Sequence, residues 1–415
     1  MAAKLDLDRL HSAPWLRTTA IKRVFAALAA TGGVSRAVGG AVRNTLLGQP
    51  IDDVDIATTT TPDAILSAAR ASGLHAIPTG LQHGTVTLVA DGVWFEVTTL
   101  RRDVETDGRH AVVAFTGDWA LDAGRRDFTI NALYCDADGT LFDPLGCSAD
   151  LLPTRVRFIG DARARIREDY LRILRFFRFS ARYGDGEIDR EGLDACAAER
   201  AGLARVSAER VRVEMLKLLT TARAADMCRT MQAYGFLMPI IGMPPQPSQL
   251  ARLVEIETTT GLLPDPLRRL AALALYPHAD ANALARRLRL SGIERDRLKT
   301  IAAEWAQVRQ AAAPSDDRRC IYRHGAAGFR DTLLVVWAAG GADVADRYWS
   351  QRLSLADTWT APKLPVTGQD VMALGIAGGP EVGRCLARIE AWWLAADFTP
   401  DRAACLSELQ RQTRE

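Results

Sequence analysis

The sequence predicts an α+β domain at the amino-terminal end, followed by a helical remainder. Strand and turn patterns dominate before residue 150, and helical patterns dominate after residue 160. The clearest strand signal is a hairpin, because TVTLVA (85–90) and VWFEVTTL (93–100) flank the turn-forming pair Asp91-Gly92. Helices mixed with antiparallel strands are typical of the α+β class.

Further patterns before residue 150 extend this domain. Two short strands are predicted at 51–56 and 131–135. Two helices are predicted at 21–32 and 61–73. The second helix is the better delimited, with Thr61 as N-cap, Pro62 in the first turn and Gly73 as C-cap.

Length and composition set broad bounds. The 415 residues leave room for two to four domains of about 150 residues each. Hydrophobic residues at 48% and charged residues at 25% are ordinary for a globular protein and exclude wholesale disorder or a fibrous repeat. The net charge of +2 indicates no partner until the charges are mapped along the chain.

The cysteines and the apolar segments bear on location. Seven cysteines form no CxxC pair, and six histidines form no metal-binding pattern. The first residues lack the apolar core of a signal peptide, and no run of about 18 apolar residues could span a membrane. These features predict a soluble, reduced, cytoplasmic protein.

Basic charge is concentrated in one segment. Residues 154–183 contain nine arginines and three acidic residues, interleaved with four phenylalanines. One interpretation is a solvated helix laced with salt bridges. The surplus of six positive charges instead favours a phosphate-rich ligand.

A candidate metal site lies in the motif GGAVRNTLLGQPIDDVDIAT, residues 39–58. Alternate residues of a strand share a face, so Asp53 and Asp55 are predicted to project together while Asp52 points away. Two adjacent carboxylates repel unless a cation lies between them, and oxygen ligands of this kind suit Mg²⁺. The alternative is an exposed acidic turn.

The same motif predicts a phosphate site. Gly39 and Gly40 offer a backbone without side chains that can approach a triphosphate closely, and Arg43 can bind phosphate oxygens. No GxxxxGK[ST] sequence occurs, so the site is not a P-loop.

Two more motifs combine arginine with acid. RRDFTINA (125–132) is poor core material, and a surface ion pair ahead of a strand is its plain interpretation. In EDYLRILRFFR (168–178), a continuous helix would place Asp169, Arg172 and Arg175 along one stripe. A carboxylate beside a guanidinium can match a base edge. The alternative is two stabilising helix pairs, Asp169–Arg172 and Glu168–Arg172.

These motifs, in this order, resemble the class II tRNA nucleotidyltransferase and bacterial poly(A) polymerase family. FDPLGCSADL (142–151) and VSAERVRVEMLKLL (206–219) resemble two further motifs of that family, and the resemblance covers roughly residues 20–235. It implies a polymerase-beta-like nucleotidyltransferase head followed by an all-α neck, body and tail. The corresponding ranges are 1–150 for the catalytic head, 151–235 for the neck, 236–350 for the body and 351–415 for the tail.

The resemblance also implies an activity and residue roles. The activity is template-independent addition of nucleotides to an RNA 3′ end, with Asp53 and Asp55 holding catalytic Mg²⁺ ions. Glu96 is the candidate third carboxylate, inferred from strand topology. The implied nucleotide-binding residues are Gly40, Arg43, Arg126 and Asp127 for triphosphate and ribose, and Asp169, Arg172, Arg175 and Arg178 for the base and its surroundings.

Within the family, we expect addition of CCA to tRNA from CTP and ATP. A poly(A) polymerase or A-adding enzyme is the near alternative, and an inert RNA-binding protein is the alternative of another class. The loop 104–115 is present at full length, whereas relatives that add only CC lack this loop. Its presence therefore argues against an enzyme that adds only CC. Asn44 stands where the family usually has Asp, and Cys147 where a second Gly is common. The expected RNA contacts are the acceptor and TΨC arms, with no membrane and no protein partner implied.

Overall fold

The computed structural model describes residues 5–107, 110–277 and 279–414. Gly108 and Arg109 lie outside the described residues, and the described residues of the segment 104–115, predicted as a loop, lie in two paired strands instead. The chain divides into two compact units, Met1–Arg223 and Ala224–Glu415. The first contains the α+β segment and the Arg-rich segment, which confirms the predicted fold class, whereas the finer division into head, neck, body and tail stays a prediction.

A seven-stranded sheet forms the centre of the first unit. The strands of this unit are β1 (Ser35–Val38), β2 (Asp55–Thr58), β3 (His75–Gly80), β4 (Thr85–Ala90), β5 (Val93–Thr99), β6 (Arg101–Asp107), β7 (His110–Phe115), β8 (Tyr134–Cys135) and β9 (Leu141–Phe142). The large sheet has the order β3-β4-β5-β2-β1-β8-β9, and β6 pairs with β7 in a separate sheet. Strands β2 and β5 run parallel, and the other neighbours in the large sheet run antiparallel.

Nine helices accompany these strands in the described part of the first unit. They are α1 (Asp8–His11), α2 (Thr19–Ala29), α3 (Gly40–Leu47), α4 (Pro62–Ala71), α5 (Trp119–Gly124), α6 (Ala162–Glu168), α7 (Leu171–Tyr183), α8 (Arg190–Ala198) and α9 (Ala208–Leu219). The predicted helices at 21–32 and 61–73 are thus confirmed with shifted ends. Thr61 occupies the N-cap position without a side-chain hydrogen bond, and Gly73 follows the C-cap residue Ser72 with a positive φ of 65°.

The predicted hairpin of β4 and β5 is confirmed. Ala90 pairs with Val93, so the turn consists of Asp91 and Gly92. Both turn residues have positive φ, at 51° and 78°, as the tight turns of twisted hairpins require. The alternation along β4 and β5 gives the sheet two unlike faces.

One of these faces forms the core of the unit. Val86, Leu88, Phe95 and Val97 are all buried on it, and helices α2 and α4 pack against this side of β4. Glu96 lies on the opposite face, because successive side chains of a strand point to opposite sides of the sheet.

Both predicted short strands begin later than expected. Strand β2 starts at Asp55 rather than residue 51, since its pairing with β1 ends where Val38 meets Asp55 and Gly39 then turns the chain into α3. Strand β8 starts at Tyr134, because Thr129–Asn131 forms a 3₁₀ turn.

The predicted continuous helix over residues 168–178 is wrong at its first residues. Helix α6 ends at Glu168, and Asp169 adopts an extended φ of −153° before α7 begins at Leu171. The Asp169 side chain accepts a hydrogen bond from the Leu171 N–H, 3.1 Å away. Ile173 and Phe177 of α7 are fully buried.

The second unit is built from helices in its described residues. They are α10 (Ala224–Ala233), α11 (Leu237–Ile241), α12 (Pro247–Thr259), α13 (Pro266–Ala274), α14 (Ala281–Arg287), α15 (Gly292–Gln310), α16 (Pro314–Gly340), α17 (Arg347–Thr358), α18 (Gly368–Met372), α19 (Pro380–Ala395) and α20 (Arg402–Arg414). Across the described ranges, no helix combines the length and apolar character needed to cross a bilayer.

Buried ion pairs link four helices of the second unit. Arg268 of α13 donates to Glu257 of α12 at 2.8 Å and to Asp331 of α16 at 2.9 Å. Arg297 of α15 contacts the same Asp331. Each carboxylate is almost fully buried, so loss of one partner would leave an uncompensated charge in the core.

Candidate active site

A polar cavity of about 490 Å³ lies in the first unit. Its lining includes residues of α3, the start of β2, the turn at 126–131 and the exposed side of α7. Ten of the eleven predicted site residues line it, namely Gly40, Arg43, Asp53, Asp55, Arg126, Asp127, Asp169, Arg172, Arg175 and Arg178. Glu96 is not among the lining residues.

The glycine pair forms the sharp entry into α3. Gly39 has φ 72° and ψ −118°, a conformation that side-chain-bearing residues rarely adopt. Helix α3 begins at Gly40, and the first N–H groups of a helix have no partner within it. Because both glycines line the cavity, this helix start is suited to an anionic ligand.

Two further carboxylates, those of Asp53 and Glu96, act electrostatically on Asp55 at the edge of the cavity. Asp53 precedes β2, Asp55 is its first residue, and pairing of Ile56 with Val97 places Asp55 and Glu96 on the same sheet face. Burial, together with the charges of Asp53 and Glu96, raises the pKa of Asp55 to about 6, although solvent reaches its side chain.

This mutual repulsion fits a site for a divalent cation, which would offset it. Among the described residues, however, no three metal-ligating side chains stand close enough to enclose an ion. A cation here would therefore need further oxygen ligands. Mg²⁺ commonly takes these from substrate phosphates and water.

The prediction that Asp52 points away from the site is wrong. Asp52 lines the same cavity as Asp53 and Asp55. The strand alternation assumed in the prediction does not apply, because residues 51–54 precede β2 and lie outside the strand.

Arg43 is buried and held from several sides. Its guanidinium donates to the Tyr183 hydroxyl at 2.6 Å, to Asn44 Oδ1 at 3.0 Å and to Asn131. Burial lowers its pKa from the usual value, but an arginine remains charged. Asn44 thus supports Arg43 as a hydrogen-bond acceptor and donates to the Pro50 carbonyl at 2.7 Å.

Arg126 is held by a buried acid and a tyrosine. It donates to Asp122 at 3.1 Å and to the Tyr134 hydroxyl at 3.2 Å, and Tyr134 in turn donates to Asp122 at 2.8 Å. Asp122, which our sequence analysis missed, is 1% exposed. Its spacing of four residues before Arg126 is the signal that could have indicated it.

Asp127 links the turn at 126–131 to α7. One oxygen accepts from the Phe128 N–H and from Asn131, each at 2.9 Å, while the other accepts from Arg175 Nε at 2.7 Å. Burial disfavours the ionised carboxylate, but Arg175 and these hydrogen bonds outweigh it and lower the pKa to about 2.

Asp169 and Arg172 are both oriented by neighbouring side chains. Arg210 of α9 holds both oxygens of Asp169, at 2.6 and 3.2 Å. Arg172 donates to Glu168 at 2.5 Å and to the Arg165 carbonyl at 2.7 Å. Of the two helix pairs proposed as an alternative, the Glu168–Arg172 ion pair is therefore present, whereas Asp169 pairs with Arg210 instead of Arg172.

Helix α9 supplies a second residue that sequence reasoning did not assign. Glu214 accepts from Arg178 Nε at 2.5 Å and lies 3.8 Å from Arg175. Arg210 and Glu214 are four residues apart on α9 and both contact charged residues of the site. This spacing within VSAERVRVEMLKLL could have indicated a shared helix face. Arg182, Tyr183 and Lys217 also line the cavity.

Comparison with known proteins identifies the families to which parts of this chain are similar. Residues 35–157 match the model of the poly A polymerase head domain, and residues 187–248 match that of a probable RNA and SrmB-binding site of polymerase A. The chain is 36% identical over 387 residues to the mitochondrial CCA tRNA nucleotidyltransferase 1 of Mus musculus, covering 91% of this chain and 86% of the relative.

This chain belongs to the CCA-adding tRNA nucleotidyltransferase family.

Bacterial members of the CCA-adding family are also similar. The CCA-adding enzyme of Levilactobacillus brevis is 32% identical over 379 residues, covering 85% of this chain and 87% of the relative. The crystal structure of the Bacillus stearothermophilus CCA-adding enzyme in complex with CTP matches with a TM-score of 0.73 and 26% identity, covering 94% of this chain and 96% of that one. The family resemblance inferred from the motifs is thereby confirmed.

Proposed function

We propose that this chain adds CCA to the 3′ end of tRNA, using CTP and ATP and releasing pyrophosphate, with protein side chains in place of a nucleic-acid template. The chain is a nucleotidyltransferase of the CCA-adding family. One observation supports the assignment of residues above all others: acidic, phosphate-binding and base-recognising candidates from three separate motifs line one cavity.

Asp53 and Asp55 would hold the divalent metal on which this family generally depends, with Glu96 as third carboxylate. We propose that the metal is Mg²⁺, since the available ligands are carboxylate oxygens. Such an ion would neutralise charge on the triphosphate and activate the attacking hydroxyl. The repulsion that raises the pKa of Asp55 supports this assignment.

The remaining residues would position the nucleotide. The backbone N–H of Gly40 and the side chains of Arg43 and Arg126 face the same cavity and would bind triphosphate oxygens. Asp127 would accept a hydrogen bond from a ribose hydroxyl. These groups are held by fixed partners, so little reorganisation is needed when the nucleotide binds.

Asp169 and Arg172 would select the base. Cytosine and adenine each carry an exocyclic amine that can donate a hydrogen bond to a carboxylate. Uracil and guanine present a carbonyl oxygen at the corresponding position, which cannot donate. Arg172 would donate to a ring nitrogen or carbonyl oxygen. Arg175 and Arg178 would support base and phosphates from the same helix.

The RNA partner would bind through its acceptor and TΨC arms, by shape and phosphate contacts. We also propose a cytoplasmic location. All seven cysteines are buried and free of disulfides, which suits a reducing compartment.

The test uses purified protein, Mg²⁺ and three tRNA transcripts, which lack CCA, end in C or end in CC. Each receives CTP, ATP or both, and the products are resolved at single-nucleotide length. We expect extension that stops at a completed CCA. Tails made from ATP alone that keep lengthening, also on unrelated RNA, would contradict the proposal and indicate a poly(A) polymerase.

A further inference from the structure

Trp94 is unusual among the aromatic residues of this chain. It is 61% exposed, and among the nine tryptophans, all of which lie in the described ranges, no other is exposed. It lies on β5 two residues before Glu96, so both side chains project from the same sheet face. Their positions are about 7 Å apart along the strand.

The sheet face that carries Trp94 is covered only in part. Over β8, Tyr134 is fully buried and packs edge-on against Trp119 of α5, with ring centroids 5.2 Å apart. Over β3, β4 and β5 the same face mixes Glu96 and several threonines with Ile77 and Val89, and Thr87 at its centre is buried. Hydroxyl pairs join Thr85 to Thr98 at 3.0 Å and Thr79 to Thr87 at 2.8 Å.

The position of the nucleotide cavity limits how RNA can approach. The cavity borders β1 and β2 through Gly39 and Asp55, whereas β5 lies on the other side of β2. A primer hydroxyl that reaches the carboxylates while a nucleotide fills the cavity would therefore arrive from the β5 side, across Glu96 and Trp94.

We propose that Trp94 stacks on a base at the 3′ end of the RNA primer, and that the edge of the sheet at Trp94 and Glu96 is the path of that single-stranded end. The inference rests on the proposed function. Recognition by stacking suits this reaction, because the enzyme must accept a primer whose terminal base changes with each addition. Stacking on an aromatic ring tolerates any base.

The test compares Trp94→Ala with Trp94→Tyr, which keeps an aromatic ring. The matched control is Val93→Ala, because Val93 is the preceding residue of β5, is also exposed and projects from the opposite face. For Trp94→Ala we expect the KM for tRNA to rise about tenfold, the scale of one lost base stack. The KM for CTP, measured at saturating tRNA, should not change, and Trp94→Tyr and Val93→Ala should stay near the wild type.

A binding measurement separates this inference from the proposed function. A tRNA transcript carrying 2-aminopurine as its last base is titrated with each protein without nucleotide, and stacking quenches its fluorescence. We expect quenching by the wild type and Trp94→Tyr, and its loss in Trp94→Ala. Equal quenching and equal KM for tRNA in Trp94→Ala would overturn the inference. A wild type that quenches but adds no nucleotide would contradict the proposed function alone.

Discussion

The two walls of the cavity are built in opposite ways. On the arginine wall, Arg43, Arg172 and Arg178 each donate to a defined acceptor within the protein. On the carboxylate wall, the side chains of Asp53 and Asp55 have no hydrogen bond or ion pair to any residue of the described ranges. A buried or crowded charge without a partner is costly. This contrast supports the proposal that a cation binds at the carboxylates and an anion binds at the arginines, whose side chains are already oriented.

Removal of a carboxylate should have the largest effect on activity. Asp53→Ala should lower kcat for CTP incorporation by about a thousandfold, because a metal ligand contributes several kcal/mol to the transition state. Binding of tRNA, measured by filter retention, should stay nearly unchanged. Asp52→Ala is the matched control, since Asp52 is its neighbour and lines the same cavity. An equal loss in both variants would mean that net negative charge, and not a metal ligand, matters here.

A substitution on the arginine wall should reduce nucleotide selectivity rather than the rate of the chemical step. Arg172→Ala should reduce the preference for CTP and ATP over UTP and GTP by about tenfold to a hundredfold, as one base contact is worth about 1–3 kcal/mol. The measurement is kcat/KM for each nucleotide. Arg167→Ala is the control, because Arg167 lies on the same segment but pairs at the exposed surface with Glu199, 2.7 Å away. Unchanged selectivity in Arg172→Ala would place base recognition elsewhere.

The anchoring of Asp169 predicts a smaller effect. Arg210→Lys keeps the charge but loses the two-pronged contact with the carboxylate. We expect selectivity to fall about fivefold, which corresponds to about 1 kcal/mol, the net contribution of one typical hydrogen bond, with the KM for tRNA unchanged. A drop in melting temperature without any change in selectivity would show that Arg210 serves only to stabilise α9.

A last prediction concerns stability and its pH dependence rather than activity. The folded-state pKa of Asp127 is about 2, below the ordinary value of about 3.9. Ionised Asp127 therefore stabilises the fold above pH 4, and the stabilisation is lost as the pH falls through 2. Asp127→Asn should lower the free energy of unfolding by about 2 kcal/mol at pH 7. The difference from the wild type should shrink in urea titrations toward pH 2, and a difference independent of pH would contradict the assignment.

Local chemistry was enough to predict part of this molecule. The Asp91-Gly92 turn and the alternation around it specify a hairpin within a few residues, because the turn residues favour positive φ. The residues of the cavity were likewise identifiable as chemically unusual, since acids and arginines repeated within short motifs make poor core material. What the sequence alone established is thus the fold class and which residues are unsuited to a purely structural role.

Only the tertiary structure decided which charges meet. The surplus of arginines in residues 154–183 is met in part by distant acids: Arg175 contacts Asp127, 48 residues away, and Arg178 contacts Glu214, 36 residues away. The break at Asp169 and the parallel pairing that places Glu96 beside Asp55 also depend on neighbours far along the chain. Ion pairs and strand pairing are set by proximity in space, and a local pattern of residues contains no information on which distant segment will supply the partner.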